Sequence, residues 1–430
     1  MSNEGQAFVV FVIGMLVLMG IGMNMALALV LTGAGMAFVL GFWDTQLLAQ
    51  NLVAGVDSFP LLAVPFFILA GELMNSGGIS RRIVTMAQAL VGHIRGGLGY
   101  VVIGAAVLMA SMSGSALADT AALATILLPM MRQQGYPMHT SAGLIASGGI
   151  IAPIIPPSMP FVIYGVTTNT SISALFVSGI VPGLIMGAGL IVAWRWVLRD
   201  LDLPRGTPLP MKDRIRATGK AFWALLMPII IIGGMKSGVF TPTEAAVVAA
   251  FYAMVIALFV HREMKVVELY GVLVRAAKTT SIVMFLCAGA AVASYMITLS
   301  DLPNLLIGWL GPLVESPKLL MLVMMLVLII VGAALDLTPT ILIFAPVMLP
   351  IALKAGIDPV YFGLMFVLNG AIGLITPPVG TVLNVVAGVG RLSLHQVIKG
   401  VNPFLLTYTV ILFMFVLFPQ IVTAPVAWMR

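Results

Sequence analysis

Apolar stretches of about 15 to 25 residues recur from end to end of this 430-residue chain, each long enough to cross a bilayer as a helix. Hydrocarbon offers the backbone no hydrogen-bond partner, so a chain built this way must fold as helices that satisfy their own amides. The sequence is 61% hydrophobic and 8% charged, with a mean hydropathy of +1.14. These values exclude a soluble globular domain and predict an all-α polytopic membrane protein. The most polar interval, Arg195 to Lys220, is too short to form a domain of its own,. The net charge of +6 sits mostly in short loops, where Lys and Arg set orientation, so it predicts membrane lipid and no nucleic acid as the surroundings. The first residues lack a basic region ahead of the apolar run, so the N-terminus is expected to be retained,. Cys287 is the single cysteine and lies in an apolar segment, which predicts inert packing,.

One apolar stretch contradicts its own composition. "GGIIAPIIPPSMP", Gly148 to Pro160, carries four prolines, each of which removes a donor and clashes with the preceding turn. Part of this span must be unwound. Comparing the chain with itself at an offset of 221 residues finds the same interruption again, in "LITPPVGT", Leu374 to Thr381. From Ala124 to Pro157, nine positions are identical to the residue 221 further on, and five of the nine are Gly or Pro: Pro129/Pro350, Gly135/Gly356, Gly149/Gly370, Pro156/Pro377 and Pro157/Pro378. These residue types fix backbone shape, so a duplicated structure is expected. A single break reads equally well as a proline kink, whereas a matched pair is the sequence signature of a secondary-transporter binding site.

Each copy then reads alike. The first (residues 1–209) has spans near 6–20, 23–43 and 58–75, an amphipathic segment at 80–96, an interrupted segment at 98–131, a broken span at 139–165 and a last span at 174–198. A linker is expected at 210–221. The second copy (222–430) has spans near 221–235, 243–260 and 280–299, an interrupted segment at 319–353, a broken span at 360–388 and a last span at 403–423. If each interrupted segment is a re-entrant hairpin, each copy crosses the membrane five times and the second is inverted,. Charge agrees: Arg81, Arg82, His93 and Arg95 precede the first hairpin, against Asp301, Glu315 and Lys318 before the second. The loop from Trp43 to Asp57 has no Lys or Arg, whereas its counterpart has Arg262, Lys265, Arg275 and Lys278. The positive-inside rule places these equivalent loops on opposite faces and both termini outside.

Four acidic residues lie within apolar sequence: Glu72, Asp119, Glu244 and Asp336. Glu72 is near a span end and Glu244 sits in the capping pattern "TPTEAA", so both are expected to be structural. Asp119 and Asp336 fall at the two hairpin interruptions, with no Lys or Arg there to pair with. A hard alkali cation is the natural counter-charge, coordinated by carboxylate, hydroxyl and unwound carbonyl oxygens. The first candidate set is Ser113, Ser115 and Asp119 with carbonyls near Gly149; the second is Asp336, Thr338, Thr340, Gly370 and Thr376, with Asn369 beside them. Capping of a half-helix is the competing role for each aspartate. Half-helix N-termini attract carboxylates, which makes Pro156, Pro157 and Ser158, and Pro377, Pro378 and Thr381, candidates for contact with an anionic substrate. No histidine or cysteine lies near the breaks to serve as a nucleophile or base, so the chain is not expected to be an enzyme,. Nor is there a ring of charge or a repeated filter sequence of the kind channels use.

With "SMSGSALADTAALATILLPMM", "IIAPIIPPS" and "NGAIGLITPPVG" in place, the whole chain resembles the large membrane subunit of the tripartite ATP-independent periplasmic (TRAP) transporters, within the ion-transporter superfamily. The resemblance implies sodium-coupled import of a small organic acid anion across the bacterial inner membrane, with the termini in the periplasm. It implies an elevator in which hairpins and broken helices move against a static scaffold. It also implies two partners, a small four-helix membrane subunit and a periplasmic substrate-binding protein. Carried over residue by residue, Ser113 and Asp119 match the family's first sodium site and Asp336 its second. An autonomous sodium- or proton-coupled organic-anion symporter is the alternative reading.

Overall fold

A computed structural model describes residues 3–200, 203, 205–309 and 311–429. Among the described residues the chain is helical throughout, without a strand. In order, the helices are α1 (Asn3–Gly20), α2 (Met25–Val39), α3 (Thr45–Ala54), α4 (Ala63–Ser76), α5 (Ile79–Val91), α6 (Gly97–Ser113), α7 (Ala116–Gln133), α8 (Met138–Gly149), α9 (Met159–Thr168), α10 (Ile172–Val197), α11 (Met211–Lys236), α12 (Pro242–Val255), α13 (Val266–Leu299), α14 (Leu302–Trp309), α15 (Gly311–Val314), α16 (Pro317–Ala334), α17 (Leu337–Lys354), α18 (Pro359–Gly373), α19 (Thr381–Gly390), α20 (Leu394–Leu417) and α21 (Gln420–Met429). Among the described residues eight helical segments are long and apolar enough to cross a bilayer. Large apolar side chains such as Leu16, Phe251, Ile282 and Ile330 point outward, as lipid contact requires,.

Two groups of helices emerge from the packing. In the first, α2 packs on α1 and α13, and α4 on α12 and α13. Small residues permit this approach: a methyl group on Gly33 would lie 2.9 Å from Val292,. Arg275 on α13 donates to Glu72 and Ser76 on α4, both at 3.0 Å, so Glu72 is the structural group expected. Glu244 closes the capping box of α12 with Thr241, also as expected,.

In the second group, α6 and α7 fold back on each other across Gly114 and Ser115, and α16 and α17 do so across Leu335 and Asp336. The α6–α7 pair packs on α8, the half-helix before the first proline break. It also meets α19, the half-helix beyond the second break. Conversely, the α16–α17 pair packs on α18 and on α9. Each hairpin therefore touches both broken spans.

The offset read from the sequence survives in the backbone. Helix α7 covers 116–133 and α17 covers 337–354, shifted by 221 at both ends. Gly135 and Gly356 end them with φ of 76° and 74°. In the same turns Tyr136 N–H bonds the Met131 carbonyl at 2.9 Å and Ile357 N–H that of Ala352 at 3.0 Å,.

Several boundaries differ from the sequence reading. The linker expected at 210–221 lies almost wholly inside α11, because no proline separates Met211 to Lys220 from the apolar run and Gly219 is taken up within the helix. The basic stretch before 280 is helical too, so α13 is one 34-residue helix. The 45–54 segment, expected as loop, forms α3, with the Asp44 side chain accepting from Gln46 and Leu47 N–H,. The last span begins at Leu394, earlier than expected, and ends at Leu417, with α21 following.

Candidate transport site

Ser113 ends α6 and Gly114 turns the chain with φ of 62°, a conformation open to glycine,. Ser115 then caps α7 by accepting from Ala118 N–H. The Ser113 hydroxyl donates to Asp119 Oδ1 and itself accepts from Ser115 N–H at 3.2 Å. Asp119 is 2% exposed, and its other oxygen, Oδ2, has no hydrogen-bond partner. The adjacent Thr120 hydroxyl is buried and also unpartnered. Burial of polar oxygens without partners is costly, so this tip is a cluster of acceptor groups with capacity to spare.

The tip is seated on the first break. A methyl group on Gly114 would fall 2.5 Å from the Pro157 carbonyl, and one on Gly149 would fall 1.7 Å from the Thr120 hydroxyl. Between α8 and α9 the chain runs through turns, with Ala152 N–H on the Gly149 carbonyl at 3.2 Å. Ser158 donates to the Pro153 carbonyl and caps α9 by accepting from Phe161 N–H. Residues 150–158 are all buried.

The second tip is built differently. Asp336 precedes α17, and the Thr381 hydroxyl at the start of α19 donates to its Oδ1 at 3.2 Å. Leu337 covers Gly370, where a methyl group would fall 2.4 Å from Leu337 Cδ1. Thr338 is buried near Asp336, whereas the Thr340 hydroxyl bonds the Asp336 carbonyl and the Thr376 hydroxyl bonds that of Ile372. Asn369 is buried, with Nδ2 donating to the Met325 carbonyl at 2.6 Å and Oδ1 unpartnered. Pro377 is half-buried and Pro378 is exposed, as is Val379. The two breaks are thus unequal: the first is sealed and the second is open.

Of the residues singled out from sequence, Ser113, Ser115 and Asp119 meet at one tip beside Gly149, Pro157 and Ser158. Asp336 meets Thr381 at the other. Thr340 and Thr376 spend their hydroxyl protons on their own helices, and Ser158 is turned into the first break. The Asp336 side chain lies against Leu337 N–H at the start of α17 as well as the Thr381 hydroxyl, and it caps none of the N–H groups further into the helix. Sequence reasoning missed Thr120, for which a polar residue one position after the acid was the available signal. It also missed Arg132, which donates to the Gly390 carbonyl at 3.0 Å and fastens α7 to the C-terminal end of α19,.

Known proteins place this architecture. Residues 12–421 match the family described as "Tripartite ATP-independent periplasmic transporter, DctM component". The chain is 53% identical to the 2,3-diketo-L-gulonate TRAP transporter large permease YiaN of Escherichia coli, covering 95% of this chain and 96% of that one. It is 40% identical to the C4-dicarboxylate TRAP transporter large permease DctM of Pseudomonas aeruginosa (89% and 90% covered). To the sialic acid TRAP transporter large permease SiaM of Vibrio cholerae it is 38% identical (95% and 96%). Its fold is similar to the crystal structure of the YdaH transporter of Alcanivorax borkumensis, with a TM-score of 0.64 over 93% of this chain and 99% of that one at 16% identity. Matched along nearly its whole length, with paired hairpins on paired broken helices, the chain belongs to the TRAP transporter family as a large permease component.

Proposed function

We propose that this permease imports a small organic acid anion, a sugar acid or keto acid of the size of diketogulonate, coupled to sodium. The substrate class rests on the 53% identity to the diketogulonate permease. The observation that carries the coupling is the pair of hairpin tips, each presenting a carboxylate and hydroxyls without a basic side chain among their hydrogen-bond partners. Hard alkali cations take such oxygen sets. At the first tip Asp119, Ser113 and the free Thr120 oxygen would hold one sodium; at the second, Asp336 and Thr381, with Thr338 close by, would hold another. Cation binding draws each tip onto its break, and the anion then sits against the α19 terminus at the open second break.

The two copies act as inverted repeats, the hairpins and broken helices moving as one body against the scaffold of α1, α2, α4, α12 and α13. A small membrane subunit joins the scaffold, and a periplasmic binding protein delivers the substrate, with the chain in the bacterial inner membrane and its termini in the periplasm. The test is uptake of labelled diketogulonate and C4-dicarboxylates into proteoliposomes. Sodium, the small subunit and the binding protein are each omitted in turn. Uptake that needs all three supports the proposal; uptake indifferent to sodium removes the role given to Asp119 and Asp336. Uptake by this chain alone makes it an autonomous symporter.

A further inference from the structure

At the basic end of the molecule, a cavity of about 490 Å³ lies where the end of α5, the segment 205–209 and the first turns of α11 meet. Helix α11 packs on α5, and the connecting segment crosses close to the end of α5. A methyl group on Gly206 would lie 2.9 Å from the Gly92 carbonyl. Arg216 and Lys220 line the cavity from one face of α11, four residues apart, and among the described residues neither is in an ion pair,. Among the described residues, Asp213 is the one carboxylate in the lining. Gln88, Gln134 and Thr207 add neutral donors, and the buried Nδ1 of His93 has no hydrogen-bond partner.

The cavity also lies at a fixed depth. Charged residues run along α11 from Lys212 to Lys220, and from Ala221 the helix is apolar up to Gly234, so the cavity sits at headgroup level. On the same elements Leu90, Ile94, Met211 and Ile215 expose apolar side chains, the last two by 69% and 66%. These apolar side chains lie on the neighbouring positions of the segments that form the cavity; a free phosphate has no use for them, whereas a phospholipid needs them for its acyl chains.

We propose that this cavity binds the phosphate headgroup of an anionic phospholipid, with Arg216 and Lys220 as its charge partners. The bound lipid bridges α5, which leads into the first hairpin, and α11, which opens the second half of the chain. This site does not rest on the transport cycle proposed above.

The test is native mass spectrometry of the full chain in detergent with added short-chain phosphatidylglycerol, phosphatidylcholine or inorganic phosphate. Phosphatidylglycerol should be retained and phosphatidylcholine not. The Arg216→Gln/Lys220→Gln variant should bind phosphatidylglycerol roughly 25-fold more weakly, about fivefold for each basic group at a membrane surface. The charge-conserving Arg216→Lys/Lys220→Arg variant should keep most of the binding. Equal retention of phosphatidylcholine, or wild-type affinity in the glutamine variant, overturns the site. Displacement of the lipid by inorganic phosphate at equal concentration overturns its assignment to a membrane lipid.

Discussion

Asp119 and Asp336 are both hydroxyl-bonded carboxylates, yet their surroundings differ. Asp119 is buried with one oxygen unpartnered, whereas Asp336 is half-buried and opens toward the second break. Asn at either position keeps the shape and removes the charge. Each of Asp119→Asn and Asp336→Asn should raise the sodium needed for half-maximal uptake by roughly tenfold or more, a loss of only about 1.4 kcal/mol of cation binding. A sodium titration of uptake in proteoliposomes checks this, and an unchanged titration in both variants would remove the coupling role. The glycines under the tips make a second, structural contrast. Alanine at Gly149 meets the Thr120 hydroxyl and then Thr120 Cα at 3.2 Å, whereas alanine at Gly370 meets only the end of the flexible Leu337 side chain, with the next atom at 3.8 Å. Gly149→Ala should therefore cost about 1–3 kcal/mol, as overpacked sites do, and lower the melting temperature more than Gly370→Ala. Equal melting temperatures would mean that the tip gives way on both sides.

At the scale of elements, the inequality of the two breaks predicts a pattern of access. Val379 is 41% exposed and Ile154 fully buried. In a Cys287→Ala background, Val379→Cys should react with a membrane-impermeant thiol reagent, and Ile154→Cys should not. Reaction of both cysteines from one side would contradict a sealed first break. These elements were largely legible in the sequence, because proline and glycine state backbone shape directly. Both hairpins and both breaks fall within a few residues of where the prolines and the offset of 221 placed them. The amphipathic segment expected at 80–96 forms α5, whereas α3 and the basic start of α13 were not legible, since they carry mixed polar sequence that reads as loop. Nor was the commitment of Thr340 and Thr376 to their own helices, because a hydroxyl in sequence does not reveal which carbonyl it meets,.

Across the whole molecule, the sequence revealed duplication but not the crossing by which each hairpin packs on both broken spans. Such long-range contacts leave no periodic signal in a chain this apolar. That crossing makes α6–α9 and α16–α19 a single packed unit, which meets the α13 and α4 side across a less continuous boundary. A cavity of about 250 Å³ lies on the boundary, lined by Ser58 and Ser294 on one side and by Thr167 and Leu342 on the other. Packed interiors slide as bodies and do not stretch, so the elevator proposed above predicts movement along that boundary. In a Cys287→Ala background, cysteines at Ser58 and Thr167 can be bridged by a short bifunctional thiosulfonate reagent. Bridging should stop uptake, and reductant should restore it, while either single cysteine treated alike keeps most activity. If the bridged protein transports at the unbridged rate, the hairpins and broken helices do not slide past the scaffold. The tips would then open and close in place, and the elevator would be replaced by local gating.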